Sequence, residues 1–101
     1  MAYYSLEKHR HLHDGYRRCF SVNNYTLLLI QECGEIYLIE NRCPHMDWSL
    51  DNGKVNQGHI TCPKHNIRFD LITGLANAPG HLDPLKCFQI IHKNDSIGVE
   101  I

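Results

Sequence analysis

An all-β domain is the fold class this sequence predicts, on three observations. Turn-forming glycine, asparagine and aspartate recur about every eight to twelve residues, at Asp14-Gly15, Asn23-Asn24, Gly34, Asn52-Gly53, Gly58, Thr73-Gly74, Asn94-Asp95 and Gly98. Between these marks lie short runs rich in β-branched and aromatic residues. No long window carries a clean helical apolar period, so no long helix is expected.

In chain order, strands are expected over residues 3–6, 16–22, 25–31 and 35–40. In the fourth, Ile36, Leu38 and Glu40 oppose Tyr37 and Ile39, as the two-residue period of a strand requires. Further strands are expected at 59–61, 67–72, 85–92 and 97–101. Residues 6–13 and 47–53 each have room for a helical turn or two. Two irregular stretches remain: 41–58, and the proline-bearing 76–84.

The 101 residues match the size of one domain, and no repeat or linker divides them, so residues 1–101 are expected to form a single unit. A net charge of -1 argues against a partner chosen by bulk charge, such as nucleic acid or an anionic membrane. The longest apolar stretch, Leu27-Leu28-Leu29-Ile30, is far short of the ~18 residues that span a bilayer. The first eight residues carry neither a basic leader nor an apolar core, so a cytoplasmic location is expected. Five cysteines are an odd number, which fits reduced thiols and metal ligation better than a disulfide framework.

The chemistry concentrates in Cys43-Pro44-His45 and, after sixteen intervening residues, Cys62-Pro63-Lys64-His65. Each pair joins one soft thiolate to one imidazole. A two-iron cluster with two Cys on one iron and two His on the other needs both ligand types on adjacent metal atoms, and two short loops of this kind deliver them. The proline after each Cys fixes φ near about -65° and stiffens the turn. A tetrahedral Cys2His2 zinc site uses the same ligand set, but zinc modules usually pair Cys with Cys and His with His.

These residues resemble the Rieske signature, C-x-H and C-x-x-H. The likeness extends to His45-Met46-Asp47-Trp48-Ser49-Leu50-Asp51-Asn52-Gly53 and to Arg68-Phe69-Asp70-Leu71-Ile72-Thr73-Gly74, which are similar to the Rieske ferredoxins of bacterial aromatic-ring-hydroxylating dioxygenases. The resemblance implies an antiparallel β-sandwich with a cluster-binding subdomain at roughly 41–84, built from two loops and a proline loop of Ala78-Pro79-Gly80-His81 with Pro84. It implies one Rieske-type [2Fe-2S] cluster, with Cys43 and Cys62 on the buried iron and His45 and His65 on the outer one. High-potential respiratory relatives carry a disulfide and two hydroxyl donors at positions that here hold Trp48, Lys64, Ile67 and Phe69.

The activity so implied is electron carriage by a monomer, not catalysis: one electron at a time from a flavin-dependent NAD(P)H reductase to a terminal non-haem iron oxygenase. An oxygenase needs a second iron site in a domain much larger than the residues left over. The small subunit of another reductase, such as an assimilatory nitrite reductase, is the alternative that length does not exclude. Contact with partners is expected at Met46, Trp48, Lys64, Pro79 and His81, around the ligand loops. Trp48 can equally cover the cluster or dock a partner. His9, His11 and His13 alternate but lack an evident fourth ligand, which favours a solvated segment over a second metal site. Among the remaining thiols, Cys19 and Cys87 read as small strand hydrophobes and Cys33 as an exposed turn residue.

Overall fold

A computed structural model describes residues 1–44, 48–63, 66–77 and 83–101. Within them ten antiparallel strands form three sheets. Strand β1 (Tyr3–Lys8) pairs with β10 (Ser96–Glu100), which pairs with β9 (Ile91–Lys93). The second sheet runs β2 (Arg17–Val22), β3 (Tyr25–Glu32), β4 (Glu35–Glu40), β8 (Cys87–Phe88). The third runs β5 (Lys54–Asn56), β6 (His59–Thr61), β7 (Arg68–Asp70). A single 3-10 turn, His9–His11, is the helical element among the described residues.

Hairpin chemistry sets this order. Four two-residue loops, after β2, β3, β5 and β9, each begin on a residue with positive φ: Asn23, Cys33, Gln57 and Asn94. At Cys33-Gly34 and Gln57-Gly58 both loop residues are positive, which matches the right-handed twist of the flanking strands.

The four-stranded sheet is the middle layer, and β3 explains why. Leu27 and Leu29 point to one face, packing with Val22, Leu38, Ile97 and Val99 against the β1-β10-β9 sheet. Leu28 and Ile30 point to the other face and join Ile39, Leu50, Ile60, Phe69, Leu71, Leu85 and both Cys43 and Cys62. An uninterrupted apolar run is what a strand buried on both faces requires.

Several expectations are corrected. Strand β5 lies inside the stretch expected to be irregular. The run at 85–92 is two strands in two sheets, because the chain leaves β4 after Phe88 and joins β10 at Ile91. The strand expected at 67–72 stops at Asp70, whose Oδ1 accepts the Ile72 and Thr73 N–H groups at 2.8 Å each and turns the chain. Gly98 marks no turn: it lies inside β10, where any Cβ would strike the Tyr4 carbonyl of β1. Cys19 is exposed rather than packed inside.

The β1 ladder is irregular between Ser5 and Glu7, and the Glu7 side chain, 10% exposed, gathers the nearby donors. Tyr16 donates its hydroxyl to Oε2 at 2.7 Å, the Lys8 N–H donates to Oε1 at 2.9 Å, and His11 Nδ1 lies 2.9 Å from Oε1. Led by the Tyr16 bond, these hold the carboxyl pKa down at about 2, while burial and then Glu7 push Tyr16 up to about 12. A depressed carboxylate stabilises the fold above its unfolded pKa, and that contribution is lost as pH falls through the folded value. Stability should therefore decline between pH 4.5 and about 2, and Glu7→Gln should flatten that acid limb in urea titrations. Tyr16→Phe removes one donor to a charged acceptor and should cost about 1–2 kcal/mol at neutral pH.

Candidate metal centre

Each ligand motif sits on a loop closed by its own backbone. The Cys43 N–H donates to the Trp48 carbonyl at 2.7 Å, closing the loop whose tip carries His45 in sequence. The Cys62 N–H donates to the Ile67 carbonyl and the Asn66 N–H to the Cys62 carbonyl, both at 2.9 Å, closing the loop that carries His65. Asn66 has φ 55°, a left-handed conformation that asparagine tolerates better than most residues. His45, Met46, Lys64, His65, Pro79 and His81 lie outside the described residues.

Cys43 and Cys62 are both 0% exposed, belong to one apolar cluster, and are not joined in a disulfide. A buried pair of thiols without a disulfide, each followed two or three residues later by a histidine, has the donor chemistry of a mixed thiolate–imidazole site. The apolar surroundings exclude water from the sulfurs, which raises the strength of any bond to a cation placed there.

The first loop is braced by side chains from the middle sheet. Asn41, at the end of β4, uses Oδ1 to accept the Leu50 N–H at 2.7 Å and the Ser49 hydroxyl at 3.3 Å, while its amide group donates to Cys19 Sγ at 3.4 Å. Ser49 also donates to Asp51 Oδ1. Arg17 on β2 donates to the carbonyls of Asp51 and Gly53 at 2.8 and 2.6 Å. Gly53 is buried, and a Cβ there would meet the Thr61 carbonyl at 2.6 Å, so the exit of the first loop packs directly on the strand entering Cys62. These braces, Arg17, Asn41 and Gly53, were missed by sequence reading. Only Asn41, an amide at the mouth of an irregular stretch, carries a recognisable local signal.

Other candidates fall elsewhere. Trp48 is 44% exposed. The alternating histidines do not converge: His9 Nε2 lies 3.0 Å from His92 Nδ1, His11 lies against Glu7, and His13 Nδ1 against the Asp14 carbonyl. Among the described residues no group of three His, Cys, Asp or Glu side chains gathers at metal-binding distance. Burial, and then Asp70, pushes the half-buried Cys87 thiol up to about 11, so it stays protonated and unreactive at neutral pH. No helix among the described residues is long and apolar enough to cross a membrane.

Comparison with known proteins agrees with this geometry. Residues 2–89 match the family model described as the Rieske [2Fe-2S] domain. The ferredoxin component of the naphthalene 1,2-dioxygenase/salicylate 5-hydroxylase systems of a Ralstonia species is 38% identical over 73 residues, covering 72% of this chain and 70% of its own length. Human apoptosis-inducing factor 3 is 32% identical over 89 residues, which is 87% of this chain but only 14% of that protein. The solved ferredoxin of carbazole 1,9a-dioxygenase from Nocardioides aromaticivorans superposes with a TM-score of 0.84 at 25% identity, covering 98% of this chain and 97% of that one. The antiparallel sheets, the paired buried thiols and the extent of the family match place this chain in the Rieske [2Fe-2S] domain family, whose cofactor is a Rieske-type [2Fe-2S] cluster.

Proposed function

We propose that this chain is a one-electron carrier, a Rieske ferredoxin that takes electrons from a flavin-dependent NAD(P)H reductase and passes them to a terminal Rieske non-haem iron oxygenase. The observation that carries the reading is the pair of fully buried cysteines, Cys43 and Cys62, within one apolar core, each with its N–H closing a backbone loop. Cys43 and Cys62 would hold one iron of the cluster and His45 and His65 the other, in a subdomain spanning roughly residues 41–84. When bound, a cluster of this type accepts and returns a single electron. The chain's own residues do the rest: the apolar core around Cys43 and Cys62 keeps water from the sulfurs. The exposed Trp48, which follows the first motif in sequence, is assigned to partner contact together with Met46, Lys64, Pro79 and His81. The carrier works as a cytoplasmic monomer.

The identity to a segment of a much longer protein favours a second reading, in which the same module serves within a longer chain. Reconstitution separates the two. Trp48→Ala should slow electron delivery to a separate oxygenase while the cluster spectrum is unchanged, and unaltered transfer with every partner would return Trp48 to a structural role.

The midpoint potential tests the place in such a chain. Phe69 is fully buried beside Cys43 and Cys62, and Ile67 packs against the same core, its carbonyl holding the Cys62 N–H. Neither side chain has a hydroxyl to donate, so the added electron is less stabilised than in respiratory relatives. The reduced protein should give a Rieske EPR spectrum and a midpoint below about +100 mV, in a family range of roughly -150 to +300 mV. Phe69→Tyr should raise that value. A wild-type midpoint well above it would remove the chain from a low-potential oxygenase pathway.

A further inference from the structure

Two histidines outside the iron chemistry meet at the corner where β1 and β9 end on the same sheet. His9 opens the 3-10 turn after β1, and His92 is the middle residue of β9, 83 positions later in sequence. His9 Nε2 lies 3.0 Å from His92 Nδ1, a ring N–H···N hydrogen bond in which one nitrogen donates and the other offers its lone pair. The ring planes are 19° from parallel with centroids 5.2 Å apart, so the rings meet through these nitrogens.

Both backbones are fixed. The His9 N–H donates to the Asp95 carbonyl at 2.8 Å, and His92 stands opposite the fully buried Ile97 in the β9–β10 ladder. The two side chains themselves are exposed, so accessible imidazoles converge from held stems, and little freedom remains to be lost when a ligand joins them. Three neighbouring charged side chains are committed elsewhere. Glu7 accepts the Tyr16 hydroxyl and the Lys8 N–H and lies against His11, and Asp95 accepts the Ser96 hydroxyl at 3.3 Å. Lys93 projects from the opposite face of β9 to His92, with Nζ 4.3 Å from the centre of the Tyr3 ring.

Two imidazoles so placed suit a metal ion as well as a shared proton. Nitrogens each about 2.1 Å from one ion stand about 3.0 Å apart when they meet it at a right angle, and about 3.4 Å apart at the tetrahedral angle. The right angle belongs to tetragonal copper(II) and nickel(II), for which imidazole is a good donor. We propose that His9 and His92 form a second metal site, taking one copper(II) or nickel(II) ion between their facing nitrogens, with water in the remaining positions. Among the described residues no third His, Cys, Asp or Glu joins the pair at metal-binding distance, so the ion stays open to solvent. On binding, the donating ring shifts its proton to its other nitrogen, which leaves both facing nitrogens with lone pairs and releases no proton from the neutral pair. The apolar cluster that holds Cys43 and Cys62 lies on the other face of the four-stranded sheet, so this site is separate from the iron ligands. It exists only in the folded chain, because unfolding parts the two residues, and a bound ion therefore stabilises the fold.

The test titrates nickel(II) chloride into tag-free, oxidised, 15N-labelled holo-protein carrying Cys19→Ser and Cys33→Ser, which removes the two exposed thiols. Calorimetry should show one ion bound, amide signals should broaden first around residues 8–10 and 91–93, and the thermal midpoint should rise. His9→Gln and His92→Gln keep a side chain able to hydrogen-bond but remove a metal donor, and each should weaken binding at least tenfold and abolish the thermal rise. Copper(II) should bind more tightly than nickel(II), magnesium chloride should give no heat, and His13→Ala should bind as the parent does. The visible spectrum of the cluster should be unchanged throughout. Nickel affinity that survives both glutamine variants overturns the proposal. Broadening that begins at Trp48 and Asn66, or bleaching of the cluster, also overturns it by placing the ion at the ligand loops. None of these results depends on which redox partners the chain serves.

Discussion

Cys43→Ser and Cys62→Ser are each expected to abolish the visible absorption and the EPR signal of the reduced protein, while Cys19→Ser and Cys87→Ser retain both. The four residues have the same chemistry in sequence and different surroundings in the fold. Cys43 and Cys62 are fully buried in one apolar cluster at the bases of closed loops. Cys19 is exposed on β2, and Cys87 is half-buried with its thiol donating toward the Leu85 carbonyl at 3.7 Å. Serine at a ligand position replaces a soft donor that suits iron with a poor one. It also leaves a hydroxyl in an apolar core, at a cost of about 1–3 kcal/mol when unsatisfied. His45→Cys and His65→Cys should alter the spectrum in another way, because each adds a negative charge where a neutral imidazole stood. An unchanged Rieske spectrum in any of these ligand variants would falsify the assignment. Zinc in the purified protein with no visible absorption would return the site to a structural role.

How far the sequence reached follows from which physical signals are local. The hairpins were legible because two-residue loops need particular residues, and Asn23-Asn24, Cys33-Gly34 and Asn94-Asp95 supply them next to the strands they join. The two Cys–His motifs stand out in sequence because each sets a thiol two or three residues before an imidazole, and of these residues the described structure shows the two thiols, buried in one core. Strand β5 was hidden: three residues, Lys54-Val55-Asn56, hold a single apolar side chain and show no period. The break between β8 and β9 was hidden as well, since Gln89-Ile90 carries neither glycine nor proline and the change of sheet depends on β10, which comes later in the chain. Gly98 misled because a glycine required for close strand approach looks in sequence like a glycine required for a turn. Arg17 was out of reach, because what it braces lies 34 and 36 residues away.

Gly74→Ala is expected to destabilise the protein far more than Gly34→Ala, although the two glycines have nearly the same backbone conformation, φ +78° and +80°. An alanine at positive φ costs on the order of 1–2 kcal/mol wherever it stands. At Gly34 that is the whole effect, since nothing lies within 4 Å of the added Cβ. At Gly74 the Cβ would overlap the backbone carbonyl of Leu85, and backbone cannot swing aside as the end of a long side chain can. The contact is also tied down, because the Leu85 N–H donates to the Gly74 carbonyl at 2.8 Å and Leu85 is 2% exposed in the same core as Cys43 and Cys62. Relief therefore requires moving Leu85 out of that core, which brings the total to roughly 3–4 kcal/mol, a size reserved for specific steric causes. Gly34→Ala should lower the thermal midpoint by roughly 4–16 °C, at about 4–8 °C per kcal/mol for a domain of this size. Gly74→Ala should lower it about two to three times as much and bleach the cluster faster at a fixed temperature, since Leu85 belongs to the same core as the buried thiols. Equal losses in the two variants would mean that φ alone sets the cost and that the Gly74–Leu85 approach is not what anchors the second half of the chain against the cluster core.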